Sequence, residues 1–96
     1  MNAAGGAAAA EITVLVRYLS TIRDAAGTRE DHLSLTAGST LASLAAWVGA
    51  HRRITLPAPA VMSTLNGYGW SQLPAGLATE LHTGDEIALF PLLSGG

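Results

Sequence analysis

The chain closes on Gly84-Asp85-Glu86-Ile87-Ala88-Leu89-Phe90-Pro91-Leu92-Leu93-Ser94-Gly95-Gly96. The reactive group this ending offers is the C-terminal carboxylate of Gly96. A carboxylate is a poor electrophile, so it enters acyl chemistry only after activation, and the activated carbonyl must then be held in line with a nucleophile. Gly95 and Gly96 suit that use because they lack Cβ. They can thread a narrow channel where any side chain would clash, and they leave the carbonyl sterically open. Extended, the three residues from Ser94 reach about 10 Å. At an average glycine usage of about 7%, a terminal Gly-Gly arises by chance with a frequency of roughly 0.5%, so the pair reads as a feature rather than a frayed end. The residues ahead of it have two readings. Phe90 is either core or part of a docking patch, and Pro91 ends a strand. Leu92, Leu93 and Ser94 lie beyond that strand, where exposed leucines read as a surface for a partner. Tyr68 and Trp70, in a glycine-rich stretch, either extend that patch or fill the core.

The rest of the chain holds no second chemical constellation. His32, His51 and His82 share no ligand spacing, cysteine is absent, and no HExxH pattern accompanies them, so no metal site is expected. The seven acids are scattered, and neither a nucleophile elbow, a P-loop nor a dinucleotide fingerprint is present. A self-contained active site and a bound cofactor are therefore not expected: this chain would bring the reacting group and a partner the catalytic residues. With net charge −2 and only five basic residues, the chain lacks the basic footprint of a nucleic-acid binder. No apolar run reaches the roughly 18 residues of a membrane span. The N-terminus has no charged segment ahead of its alanines, and the lack of cysteine fits a reducing compartment, so a cytoplasmic location is expected. All five basic residues are arginines. The absence of lysine follows either from a bias toward Ala, Gly and Arg or from the advantage of having no side-chain amine to attack an activated C-terminus.

The elements that must position the tail fit one domain of 96 residues. Residues 1–10, MNAAGGAAAA, are expected to be a disordered segment, 11–93 the folded domain and 94–96 a flexible tail. Glu11 to Leu19 is rich in β-branched and aromatic residues. Ile12, Val14, Val16 and Tyr18 fall on one face, with Leu15 and Leu19 on the other, which suits a central strand. RDAAGTRED reads as a turn with Gly27 at positive φ, and His32–Thr36 as a second strand closing a hairpin. The period then changes. Leu41, Leu44, Ala45 and Val48 follow helical spacing, Ser39 or Thr40 can cap, and His51, Arg52 and Arg53 meet the negative end of the helix dipole. VMSTL is a third strand, Asn66-Gly67 a tight turn, and the stretch after it is irregular with room for a short strand and a helical turn. Thr83-Gly84-Asp85 is a turn and Glu86–Phe90 the last strand. The class is α+β: a mixed sheet of four to five strands with one main helix on one face. The first and last strands are the most apolar, so they should lie adjacent and parallel at the centre.

This order and the terminal motif resemble the ubiquitin-like β-grasp sulfur carriers of the MoaD/ThiS family, and within it the MoaD branch, the small subunits of molybdopterin synthase. The resemblance spans roughly residues 11 to 96. Its specific part is the ending, where Gly84, Asp85, Glu86, Ile87, Ala88, Leu89, Phe90, Pro91, Leu93, Ser94, Gly95 and Gly96 match. VRYLSTIRDAAGT and GSTLASLAAWV are also similar. Leu92 stands where the second proline usually sits. GLATELHTGDEI is similar to carriers of other pathways, including one serving cysteine synthesis. The resemblance implies that an E1-like partner uses ATP to adenylate the Gly96 carboxylate. A persulfide then displaces AMP, leaving a thiocarboxylate that donates sulfur. It also implies docking through Phe90, Pro91, Leu92, Leu93 and Ser94, and a 2:2 complex with the large subunit of molybdopterin synthase. Two alternatives stay open: a ubiquitin-like modifier joined through Gly96 to protein amines, and a carrier for cysteine, thiamine or tRNA thiolation. A third class, a plain β-grasp binding module, is disfavoured by the terminal Gly-Gly.

Overall fold

The computed structural model describes residues 10–92, so the expectations placed on residues 1–9 and on Leu93, Ser94, Gly95 and Gly96 lie outside the described residues. Five strands form one mixed sheet: β1 (Glu11–Tyr18), β2 (Glu30–Thr36), β3 (Val61–Leu65), β4 (Tyr68–Gly69) and β5 (Glu86–Pro91), in the spatial order β2-β1-β5-β3-β4. β1 and β5 run parallel at the centre, with Val16 beside Ile87 and Tyr18 beside Leu89. β2 and β3 pair antiparallel on either side of them. This is the β-grasp architecture read from the sequence. β1 and β5 sit in the middle because they supply most of the sheet's fully buried residues, Val14, Val16, Tyr18, Ile87 and Leu89.

One face of the sheet carries the core. Val14, Val16 and Tyr18 of β1, Leu33 of β2, Leu65 of β3 and Ile87 and Leu89 of β5 are all buried. Against them packs helix α2 (Leu41–Arg52), through Leu41, Leu44, Ala45 and Val48, the four positions its spacing selected. Fully burying one such side chain contributes about 1.5–3 kcal/mol. Thr40 is the cap. Its Oγ1 accepts from Ser43 N at 3.4 Å while Ser43 Oγ accepts from Thr40 N at 3.3 Å, a reciprocal pair that satisfies two orphan donors of the first turn. Backbone bonds between Leu41 N and Thr79 O, and between Leu81 N and Ser39 O, tie the helix start to the segment before β5 and bury Leu81 completely.

The structure departs from the sequence expectation at several element boundaries. The stretch read as a turn before Gly27 contains a short helix, α1 (Thr21–Ala26). At six residues it is too short to show a period. Gly27 does take positive φ, at 78°, as the left-handed residue ending this helix, and its N–H donates to Arg23 O at 2.9 Å. β2 begins at Glu30 rather than His32, because Tyr18 N bonds to Arg29 O and the ladder with β1 already holds the charged residues. β5 runs one residue past Phe90 to Pro91. Arg53 stands just past the helix end in the left-handed conformation, φ 59°, instead of within the last turn.

A polar network bolts β1, β2 and α2 together at one edge. Tyr18 Oη donates to Asp31 Oδ2 at 2.8 Å, Arg52 Nε donates to the same oxygen at 2.8 Å, and Arg52 Nη2 reaches Asp31 Oδ1. The Arg52 guanidinium lies 5.8 Å from the Trp47 ring, which stacks on His51. The hydrogen bonds from Arg52 hold the Asp31 carboxyl below the usual carboxylate range, opposed by partial burial and helped by Tyr18. Burial, reinforced by the bond to Asp31, pushes the Tyr18 hydroxyl well above the tyrosine range.

Two stability predictions follow from these contacts. A carboxyl with a depressed folded pKa stabilises the fold above its unfolded pKa of about 3.9, and this contribution is lost as pH falls through the folded value. Asp31→Asn should therefore melt below the parent at pH 7, and the gap should close as the pH is lowered below the ordinary carboxylate range and through the depressed folded value. A gap that stays constant in thermal melts across this range would exclude the network as its source. Gly49 sits inside α2, and a Cβ there would meet only Ile54 O at 3.8 Å, an ordinary contact. Gly49→Ala should raise stability by about 0.5–1 kcal/mol in urea unfolding.

Candidate functional site

The site is built by β5 and what it delivers. Its entry is fixed by a turn in which Gly84 takes φ +94° and its N–H bonds to Thr13 O at 3.0 Å. Asp85 accepts from His82 N at 2.8 Å and from Asn66 Nδ2 at 3.0 Å. Asn66 in turn accepts from Glu86 N at 2.9 Å through its side chain and donates its own N–H to Glu86 O. Asn66 and Gly67 both adopt positive φ, 52° and 89°, as the tight turn from β3 to β4 requires. The two turns seen in the sequence thus hold each other and set where β5 begins.

From that start the alternation of a strand does the rest. Ile87 and Leu89 enter the core, while Glu86, Ala88 and Phe90 fall on the face opposite α2. Phe90 lies across from Met62 and is half-buried. Pro91, paired with Val61, is half-buried on the core side. Leu92 is 55% exposed, and its N–H donates to Ala60 O at 3.0 Å. A proline at position 92 could not make that bond. Leu92 therefore extends the ladder one step beyond the last assigned strand residue. Leu93, Ser94, Gly95 and Gly96 follow outside the described residues.

Two further exposed apolar residues, Met62 and Leu19, lie beside Phe90. Met62 is 37% exposed beside Phe90, and Leu19 is 38% exposed just past the Tyr18–Leu89 pair, its N–H bonded to Leu89 O at 2.9 Å. Both were recoverable from alternation once β1, β3 and β5 were set side by side, since Leu19 and Met62 occupy the phase opposite the core residues. Leu19, Met62, Phe90 and Leu92 thus form an apolar strip at the end of the open face where the chain leaves the sheet. Trp70 is not part of it, being 94% removed from solvent in the core. Tyr68 is exposed but pairs with Leu65, at the opposite end of β3 from Met62 and in the core phase. Tyr68 and Trp70 therefore leave the patch as it was first drawn.

Among the described residues no three His, Asp or Glu side chains gather as a metal would need, and no helix is long and apolar enough to cross a membrane. His32 faces Glu30 at 3.0 Å and His82 lies 3.9 Å from Glu80, both pairs in solvent. What the arrangement does is place an apolar strip where the chain leaves the sheet at Leu92.

Comparison with known proteins agrees with this geometry. The structure is similar to the crystal structure of SAMP1 from Haloferax volcanii, with 27% identity over 88% of this chain and 99% of that one and a TM-score of 0.68. It is similar in fold to a protein assigned as molybdopterin converting factor, subunit 1, from Pyrococcus furiosus, at 22% identity over 85% and 99% with a TM-score of 0.70. Urm1 from Trypanosoma brucei shares the fold at 14% identity, over 92% and 99%, with a TM-score of 0.60. No curated protein matches the chain. The family model described as the ThiS family matches residues 16–96, through the whole of β5 and the terminal Gly-Gly. Members of this group work with E1-like enzymes and partner subunits. The chain belongs to the ThiS family of ubiquitin-like carriers and modifiers.

Proposed function

We propose that this protein is a sulfur carrier that acts through its own C-terminus. An E1-like enzyme uses ATP to convert the Gly96 carboxylate to an acyl-adenylate with release of pyrophosphate. The outer sulfur of a partner's cysteine persulfide displaces AMP to give an acyl disulfide, and a second thiol of that partner cleaves its S–S bond, leaving a thiocarboxylate at Gly96 and a disulfide on the partner. The finer reading is that the carrier is the small subunit of molybdopterin synthase. It would join a larger subunit in a 2:2 complex in the cytoplasm and give its sulfur to a pterin precursor. The chain itself binds no cofactor in this scheme, because ATP is held by the activating enzyme. The observation that supports the reading most directly is the apolar strip of Leu19, Met62, Phe90 and Leu92. It lies where β5 hands the chain to Ser94-Gly95-Gly96, so a partner gripping the strip also receives the tail.

Phe90 and Leu92 give grip, Pro91 fixes φ at the exit, and Gly95 and Gly96 place an unhindered carbonyl in the partner's pocket. A second reading is joining of Gly96 to amines of other proteins, which the likeness to SAMP1, at 27% identity, favours. The two share the activation step and differ in the acceptor.

The test is an intact mass spectrum of the protein purified from its own host with its C-terminus native. A mass increase equal to one oxygen-to-sulfur exchange, localised to Gly96, is expected. A ladder of protein conjugates through Gly96 would establish the modifier instead. Deleting Gly96, or substituting Gly95→Val, should abolish adenylation by the host's E1-like enzyme while leaving the melting temperature unchanged. Normal adenylation of Gly95→Val would end the threading argument. Leu92→Asp and Met62→Asp should each weaken association with the activating enzyme by about 1–2 kcal/mol in calorimetric titration without unfolding the chain. Unchanged affinity would place the docking surface elsewhere.

A further inference from the structure

Three of the five arginines of this net-negative chain line one recess. It measures about 550 Å³ and is walled by Arg17, Tyr18 and Leu19 at the end of β1, Arg23 of α1, and Arg29 and Glu30 at the start of β2. Arg17, Arg23 and Arg29 are all exposed. Arg17 is committed to Glu86 at 3.2 Å. Neither Arg23 nor Arg29 has an ion-pair partner among the described residues. Two uncompensated guanidinium groups therefore face one hollow, on a chain whose acids outnumber its bases.

The position of the recess is set by topology. β1 and β5 are parallel, so the end of β1 lies at the same edge of the sheet as the end of β5. β2 is antiparallel to β1, so its first residues return to that edge. α1 fills the connection between them and brings Arg23 over the gap. Leu19 belongs both to the recess and to the apolar strip beside Phe90, so the charged hollow is continuous with the proposed docking surface.

We infer that this recess is an acidic-segment site: it receives a loop of the activating enzyme bearing two or more carboxylates, one for Arg23 and one for Arg29. The inference rests on the proposed function only for the identity of that partner. Three features favour a protein segment over a small anion. The recess is open and its cations are exposed, whereas tight capture of a phosphate needs donors held rigidly in a dry cavity. The Glu30 carboxylate lines the same wall, which repels a compact dianion but leaves room for carboxylates spaced along a loop. The apolar side of Leu19 adds contact area that only a polypeptide would use. Rim arginines of this kind act mainly by steering encounter and fixing orientation, not by adding large affinity. Here the orientation fixed is the one that aims the residues after Leu92 at the partner's pocket.

The test has two readouts on the full chain. In the first, the arginine Nε–Hε and backbone amide signals are followed by NMR while a hexaglutamate peptide, and separately inorganic phosphate, is titrated at low salt. The expected result is saturable shifts at Arg23, Arg29 and Leu19 with the peptide, absent at Arg52 and Arg53 and lost in Arg23→Glu/Arg29→Glu. Shifts spread evenly over all arginines, or localised binding of phosphate in place of the peptide, would overturn the assignment. In the second, adenylation by the host's E1-like enzyme is measured at several salt concentrations. Arg23→Glu/Arg29→Glu should raise KM about tenfold or more at low salt, with kcat unchanged and the salt dependence of kcat/KM flattened. The Arg53→Glu control should behave as the parent. An unchanged KM in the double variant would overturn the inference. If the parent itself is not adenylated, the carrier reading fails, and the peptide titration alone then decides the recess.

Discussion

Everything useful in this protein depends on the register of β5. The strand is paired on both edges, parallel to β1 and antiparallel to β3, and its two faces have opposite duties. A slip by one residue would send Ala88 and Phe90 into the core and put Ile87 and Leu89 in water, since side chains alternate strictly along a strand. Two hydrophobic layers are thereby arranged to tolerate a single alignment. The hydrogen bonds among Asp85, Asn66, His82 and Glu86 fix the first residue of the strand. Burial of Ile87 and Leu89 fixes the remainder. Whatever follows Leu92 can be placed only as accurately as the strand that launches it.

The same logic explains why the core sits on one face. α2 covers that face, and the Tyr18–Asp31–Arg52 network clamps its C-terminal end to the hairpin. Because α2 and its clamp stabilise the fold from behind, the opposite face has no need of a cover. It can keep Leu19, Met62, Phe90 and Leu92 partly in solvent. The exposed strip is small, within the range of apolar surface that folded domains leave in solvent.

Much of this was legible in the residues. The alternation of Ile12, Val14, Val16 and Tyr18, the helical spacing of Leu41, Leu44, Ala45 and Val48, and the Asn66-Gly67 turn each answer to one strong local rule. The central parallel pairing of β1 and β5 followed from their being the two most apolar strands and distant in the chain. α1 was not legible, because its six residues make no period, and only Gly27 marked its end. Trp70 and Tyr68 shared a glycine-rich stretch and looked alike. Which of them is buried is decided by the pairing of Tyr68 with Leu65 and by the 3₁₀ turn at Trp70–Gln72, neither of which has a sequence period. The recess of Arg17, Arg23 and Arg29 was invisible for a related reason. Its members are spread over three elements, and their gathering is a property of the topology rather than of spacing.

Leu92 shows how one departure from the family's pattern acts through the backbone as well as the side chain. A proline at this position would fix φ and offer no N–H, so the ladder with the segment before β3 would stop at residue 91. The leucine here donates to Ala60 O and carries the ladder one residue further. The chain is thus guided along the sheet edge up to Leu92, and its side chain, 55% exposed, continues the open-face alternation of Ala88 and Phe90. The strip gains an apolar residue at its end. A partner docking on this strip would therefore have to accept a leucine against its surface. A partner fitted to a chain with proline there meets a stiffer exit with less apolar area. The difference lies in the stiffness of the exit and in its apolar area, both set by the residue at position 92.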